Sequence, residues 1–412
     1  MNKFFVPEVE ATADWSGYQD ELVRTTVTYG WEHSPEIRQR LEQAGVRPTD
    51  IRGTADLARV PVLSKDDLPE LQAATPPFGN MLAVPREQLG GIYLSPGPIL
   101  DPQGGAPDFW RVAPALWAAG FRSGHVVQNT FSYHLTPAGA MLEGGLRAIG
   151  CVVVAGGVGN TESQVDLMAR VEVSGYVGTP DFLLTLVEHA RDRGVSLGVR
   201  RAWLTGGPLA PSLRQELQDE YEIDVYQGYG TADAGTLGYE CEAKDGWHVA
   251  PSVVVEITEP ATGEPVTAEK SGEVVVTSPN EVYPLVRFGT GDLSAWNTNP
   301  CSCGRTSPRM VGFLGRVGDG VKVRGMFLHP RQLVQVLAND PAVARYQAVV
   351  SQHDHRDTLT IRMEAQAGAE VDIDHLTEAL RAALKLRADV ELVDPGTIPE
   401  DAPPLIDARS LE

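Results

Sequence analysis

The chain of 412 residues carries a net charge of −21, with 34 Lys and Arg against 55 Asp and Glu, and 42% of it is apolar. That length fits one large domain plus a smaller one, and the apolar share is ample for a core. With no block of Lys and Arg, the chain has no basic face to displace counterions, which argues against a nucleic-acid partner.

The opening residues, Met1-Asn-Lys-Phe-Phe-Val-Pro-Glu, lack a signal peptide's apolar run, and no apolar stretch reaches membrane-spanning length. Residues 15–43 read as helical, with apolar spacing at Leu22, Val23, Tyr29, Ile37 and Leu41. The middle of the chain alternates helical patterns with short β-rich runs at 125–128, 151–155, 202–204 and 224–226, which argues for an α/β architecture. From Ser252 the texture turns to strands at 253–257, 272–277 and 285–288, a β-rich subdomain spanning about 240–314. After Gly315-Arg316-Val-Gly-Asp319-Gly320 comes a unit with a strand at 321–323, a helix at 330–337, strands at 348–351 and 359–364, a helix at 373–386 and a strand at 390–393. This predicts domains at 1–316 and 317–412 with a hinge at Asp319; the alternative is a turn inside one domain.

Four cysteines in so long a chain do not make a disulfide scaffold, so a cytoplasmic, reducing location is expected. Cys241 and His248 stand seven positions apart, and Cys301-Ser-Cys303 follows on a turn flanked by Pro and Gly. Three thiolates and one imidazole complete a tetrahedral shell for zinc with no open position, which is a structural site. Unrelated thiols or a disulfide are the other reading, and Cys151, in an apolar run, reads as a small buried hydrophobe.

Several phrases then recur in order: Leu57-Ala-Arg-Val-Pro-Val-Leu-Ser-Lys65-Asp66-Asp67, Thr179-Pro180-Asp-Phe182, Thr205-Gly206-Gly207-Pro208, Gly228-Tyr229-Gly230-Thr231-Ala232-Asp233, Arg287-Phe288-Gly289-Thr290-Gly291-Asp292 and Gly315-Arg316. Together they resemble the phenylacetate–coenzyme A ligases of the adenylate-forming superfamily along nearly the whole chain, the Cys and His pattern included. The resemblance implies a large multi-sheet N-terminal domain and a small mobile α+β C-terminal domain. It also implies chemistry in which a carboxylate attacks ATP, giving an acyl-adenylate that coenzyme A's thiol then resolves. Carried over by position, Tyr229 stacks on adenine within a pocket that includes Gly206, Gly207 and Gly230, and Thr231 meets the α-phosphate. Asp233 takes the place of the magnesium-binding glutamate, one methylene shorter; Asp292 holds the ribose and Arg316 marks the hinge. Phe131, Tyr133, His134, Thr179 and Phe182 fall at the substrate pocket. Family members are often dimers, so a homodimer is an expectation by analogy.

Two motifs depart from the family. Its phosphate loop, Ser-Ser-Gly-Thr-Thr-Gly-Lys-Pro, is here Ser95-Pro96-Gly97-Pro98-Ile99-Leu100-Asp101-Pro102. Pro96 and Pro98 remove two amide donors, and Asp101 puts an acid in the lysine's place. The family's terminal catalytic lysine also has no counterpart: the lysines are Lys3, Lys65, Lys244, Lys270, Lys322 and Lys385, and none follows the turn Gly396-Thr397-Ile398-Pro399. His134, where the family usually has glycine, is a candidate acid or base, or else a histidine satisfied in the pocket wall. Three functions remain open: an acyl- or aryl-acid–coenzyme A ligase with weakened adenylation, an ATP-independent enzyme on an acyl or aryl thioester, and a ligand-binding homologue without catalysis.

Overall fold

The structure, a computed structural model, describes residues 14–267, 270–318, 320–324, 326–328, 330–338, 340–353, 356–369, 371–384, 386–399 and 402–409. The helical pattern at 15–43 forms two helices, α1 (Trp15–His33) and α2 (Pro35–Gln43), because proline suits a helix's first turn and breaks its interior. Ser34 takes the N-cap between them, and Val23, Val27, Ile37 and Leu41 line their buried side.

After α3 (Leu68–Ala74), strands β1 (Gly91–Ser95) and β2 (Ile99–Gln103) pair antiparallel, with Ser95 opposite Ile99 across Pro96-Gly97-Pro98. Then β3 (Val126–Asn129), β4 (Val152–Ala155), β5 (Gly175–Gly178), β6 (Arg201–Leu204) and β7 (Asp224–Thr231) lie parallel in the order β4-β3-β5-β6-β7. Helices α4 (Ala138–Ile149) and α5 (Thr161–Arg170) make the first two crossovers, as parallel neighbours require. β8 (Gly235–Tyr239) and β9 (Trp247–Val249) continue this sheet antiparallel. β10 (Val254–Thr258), β11 (Gly272–Ser278) and β12 (Leu285–Ser294) form a second, antiparallel sheet, joined by the short strand Leu63–Ser64 parallel to β12. β13 (Trp296–Asn297) and β14 (Arg309–Met310) return to the first sheet, whose order is β13-β14-β9-β8-β7-β6-β5-β3-β4. Leu116, Phe121, Leu146, Val177, Tyr239 and Phe288 belong to the core that these layers share.

The last quarter builds its own core. β15 (Val343–His353), β16 (Arg356–Ala365), β17 (Asp389–Val393) and β18 (Leu405–Asp407) form a sheet in the order β17-β16-β15-β18. Helix α6 (Ile373–Leu384) sets Leu376, Leu380 and Leu384, spaced by four, into the same apolar cluster as Val350, Ile361 and Met363. The expected helix at 330–337 starts as α-helix over Pro330–Leu333 and continues as π-helix over Val334–Ala338.

The chain divides into two compact units: one takes in the chain to Gly178, Phe182–Thr205 and Leu217–Gly315, the other Thr179–Asp181, Gly206–Glu216 and Arg316 onward. It is a mixed α/β chain with a large multi-sheet N-terminal domain and a small C-terminal one. The hinge candidate Asp319 and the last lysine, Lys385, lie outside the described residues. Among those described, no helix is long and apolar enough to cross a membrane.

Candidate functional site

The turn joining β7 to β8 carries Asp233, and its backbone is clamped from several sides. Thr231 Oγ1 accepts the Ala234 N–H at 3.0 Å, Trp110 Nε1 donates to the Ala232 carbonyl at 2.9 Å, and Arg111 Nη2 donates to the Ala234 carbonyl at 2.7 Å. Gly230 and Gly235 are needed for the close fit: a Cβ on Gly230 would stand 2.5 Å from the Gly235 carbonyl oxygen, and Gly235 adopts φ 78°. The side chain so aimed has no exposed surface, and its Oδ2 accepts from Lys65 Nζ at 2.6 Å. Lys65 is equally placed by its backbone. Leu63 and Ser64 pair with Phe288 and Gly289 of β12, and Ser64 Oγ accepts the Asp66 N–H at 3.2 Å.

Asp101 completes the cluster. The phosphate-loop counterpart is a β-hairpin in which strand alternation sends Ile99 and Asp101 to the same buried side. Both Asp101 carboxyl oxygens are buried without a hydrogen-bond partner among the described residues, Ser95 lying beside them out of bonding geometry. Burial, and after it the Asp233 charge, push the Asp101 carboxyl up to about 8, with Lys65 opposing. This corrects the expectation of a negative charge displayed on the loop: Asp101 points inward from β2 and keeps its proton at neutral pH. The Leu100 amide is taken as well, its N–H donated to Gln72 Oε1 of α3 and its carbonyl accepting from Gln72 Nε2, both at 2.9 Å.

Tyr229 and Asp292, expected at adenine and ribose, are brought together. The Tyr229 hydroxyl donates to Asp292 Oδ2 at 2.9 Å, and both residues are buried. One face of the Tyr229 ring stacks on Trp247, centroids 5.3 Å apart and planes 13° from parallel. Thr231, expected at the α-phosphate, has its hydroxyl oxygen accepting the Ala234 N–H of the turn. In the loop after β3, Asn129 Nδ2 donates to the Tyr133 hydroxyl at 2.9 Å, and Phe131 packs against the core. Tyr133 lines a recess of about 470 Å³ with Pro107, Ala140, Glu143, Gly144 and Arg147. His134, expected in a pocket wall, stands exposed next to an exposed Leu135, so it is bathed in water there. Phe182 is half-buried in the first unit; Thr179, Gly206, Gly207 and Arg316 fall in the second, Gly206 at φ 78°.

The Cys and His cluster converges. Ligand atoms of Cys241, His248, Cys301 and Cys303 all lie within 4.8 Å of one another, joining the end of β8, strand β9 and the loop between β13 and β14. His248 Nδ1 meets Ser307 Oγ at 2.9 Å, which turns Nε2 toward Cys303 Sγ at 3.4 Å. Burial, and after it the Arg305 charge, pull His248 down to about 4, so the imidazole is neutral, as a metal ligand must be.

Sequence reasoning passed over Lys65 and Trp247. Lys65 stood in a quoted phrase, but its partner is 168 positions away, and nothing local announces the pair. Asp101 was noticed, and the period of two from Ile99 was the signal that it faces inward.

Residues 125–283 match the AMP-binding enzyme family, and residues 325–404 match the AMP-binding enzyme C-terminal domain. A phenylacetate-coenzyme A ligase from Thermus thermophilus is 33% identical to this chain, over 92% of it and 93% of its own length. The chain belongs to the AMP-binding enzyme family, as a phenylacetate–coenzyme A ligase-like member. The phenylacetate-coenzyme A ligase of Escherichia coli is 27% identical, over 95% of this chain and 94% of its own. Among solved structures, a 2-hydroxyisobutyryl-CoA ligase in complex with 2-HIB-AMP and CoA superposes with a TM-score of 0.90 at 25% identity, covering 98% of this chain and 92% of that one. The fold of this member of the family thus matches that of an acid–coenzyme A ligase over 98% of the chain, and its segment 91–103 is a β-hairpin.

Proposed function

We propose that this protein is an acyl- or aryl-acid–coenzyme A ligase-type enzyme in which ATP-dependent adenylation is attenuated and the thioester-forming half is retained. The observation that carries this reading is the hairpin at 91–103. A phosphate loop works by presenting several amide donors, hydroxyls and a lysine to the polyanion. The turn Pro96-Gly97-Pro98 has one amide N–H, that of Gly97; beyond it Ile99 faces Ser95 in the strand pairing and the Leu100 N–H is bonded to Gln72. The tail supports the same reading, because no lysine follows Lys385 and the Pro404 carbonyl, accepting from Ala348 N–H at 2.9 Å, is part of a sheet edge.

The two halves can be assayed apart. With a panel of small aliphatic and aromatic acids, acid-dependent pyrophosphate release from magnesium–ATP is expected to run at least about 100-fold slower than thioester formation from the matching synthetic acyl-adenylate and coenzyme A, a gap of roughly 3 kcal/mol in barrier. Equal rates would remove the proposal, and no turnover of any acyl-adenylate would favour a binding protein. His134 is exposed and so offers no enclosed base for an ATP-independent thioester reaction. For the Cys and His cluster we propose a structural zinc, supported by its converged donor set and by the Ser307 hydroxyl that holds His248 Nδ1.

A further inference from the structure

The family places a magnesium-binding carboxylate at the position of Asp233, and the surroundings of Asp233 do not fit that role. We propose that the Lys65 ammonium has taken the metal's place, so that this end of the site is built to work without a divalent ion. The inference deepens the proposed function, resting on the same assignment of Asp233. Three observations carry it. The ammonium already sits on Asp233 Oδ2 at 2.6 Å, and the carboxylate it holds has no exposed side-chain surface. A divalent ion would have to displace a cation from a closed position, and magnesium gives up its own waters reluctantly. The backbones on both sides are fixed, Lys65 by the strand pairing at Leu63–Ser64 and Asp233 by the bonds from Trp110 and Arg111 on either side of it. Retreat of either partner therefore has to come from the side chains alone. Finally, the buried Asp233 carboxylate already has the Lys65 ammonium as its counter-charge, as a charge held away from water requires.

The functional consequence is that a phosphate group approaching this end would meet a lysine, a monovalent donor of three hydrogen bonds, in place of an octahedral ion. Such a site suits the single phosphate of an adenylate better than the triphosphate of ATP, whose charge the family shares with magnesium.

The test reads metal binding directly and needs no catalysis. Manganese(II) is titrated into the full chain and followed by electron paramagnetic resonance, comparing wild type, Lys65→Met, Lys65→Arg, Asp233→Asn and the Lys65→Met/Asp233→Asn double variant, each checked for folding by circular dichroism. Wild type and Lys65→Arg are expected to bind no manganese that Asp233→Asn removes, and Lys65→Met is expected to gain a site that the double variant loses. Wild-type manganese binding abolished by Asp233→Asn would overturn the proposal, and so would a folded Lys65→Met protein that gains nothing. Because the half-reaction rates play no part here, failure of this inference and failure of the proposed function are seen separately.

Discussion

At the scale of single residues, the cluster of Lys65, Asp101 and Asp233 sets a measurable pH dependence. Asp101 is held at about 8 in the folded chain, against an ordinary value near 3.8, chiefly by burial. Its folded state therefore binds a proton that the unfolded chain releases. Stability from this group is fullest below about pH 4 and declines as pH rises toward 8. Removing the ionisable group removes the decline. Asp101→Asn is expected to match the wild-type melting temperature near pH 4 and to exceed it increasingly up to pH 8, the gain at the upper end being on the order of a few kcal/mol. Thermal unfolding followed by circular dichroism across this range checks it. A constant offset at every pH would mean that Asp101 is already ionised in the fold. The neutral amide also keeps a donor in the cluster, so the variant is not expected to loosen the Lys65–Asp233 pair.

Elements explain why part of this chain was legible and part was not. Of the parallel strands β3 to β7, β3, β4, β6 and β7 overlap the short β-rich runs expected between helical patterns, whereas β5, the short glycine-bounded Gly175–Gly178, was not among them. The hairpin β1–β2 is hard to see in the sequence because its second strand, Ile-Leu-Asp-Pro-Gln, carries an acid and a proline, although Pro-Gly-Pro between two pentads is ordinary turn chemistry. Strand β18 was missed for a similar reason: its few residues follow a proline pair and pair in parallel with distant Ala348–Val350. The Cys and His set was legible from residue type and spacing, and its four ligand atoms do converge within 4.8 Å of one another. The zinc prediction belongs here, because the cluster ties β9 to the loop between β13 and β14. Metal analysis of gently purified protein is expected to give about one zinc per chain. Cys301→Ser is expected to lower that content and the melting temperature by roughly 5 °C or more, with the loss reproduced in wild type by a strong chelator. Zinc absent from protein purified without chelators would contradict it.

On the scale of the whole molecule, the C-terminal unit has the makings of an independent domain. Its apolar cluster draws on Val323, Leu328, Leu337, Ala348, Val350, Leu359, Ile361, Met363, Leu376, Leu380, Leu384 and Leu405, all within its own stretch of chain. Its four-stranded sheet is closed on both flanks by parallel partners from the same stretch, β17 on β16 and β18 on β15. Polar anchoring is internal too: Glu364 accepts the Ile398 N–H at 2.6 Å, and Arg409 pairs with Asp357 at 3.1 Å with both side chains buried. A span from residue 317 to 412 is of a size at which single cores fold without disulfides or metals. Expressed alone, it is expected to show a single cooperative transition with an unfolding enthalpy of about 60–80 kcal/mol, in proportion to its length. Differential scanning calorimetry reads this, with the calorimetric and van't Hoff enthalpies expected to agree. A broad, non-cooperative trace would mean that the cluster around Ile361 and Leu380 is incomplete without the first 316 residues. The same fragment ends the tail at the β18 edge, so Leu405→Asp, which places a charge in that cluster, is expected to abolish the transition, whereas a change at exposed Leu392 is expected to leave it in place.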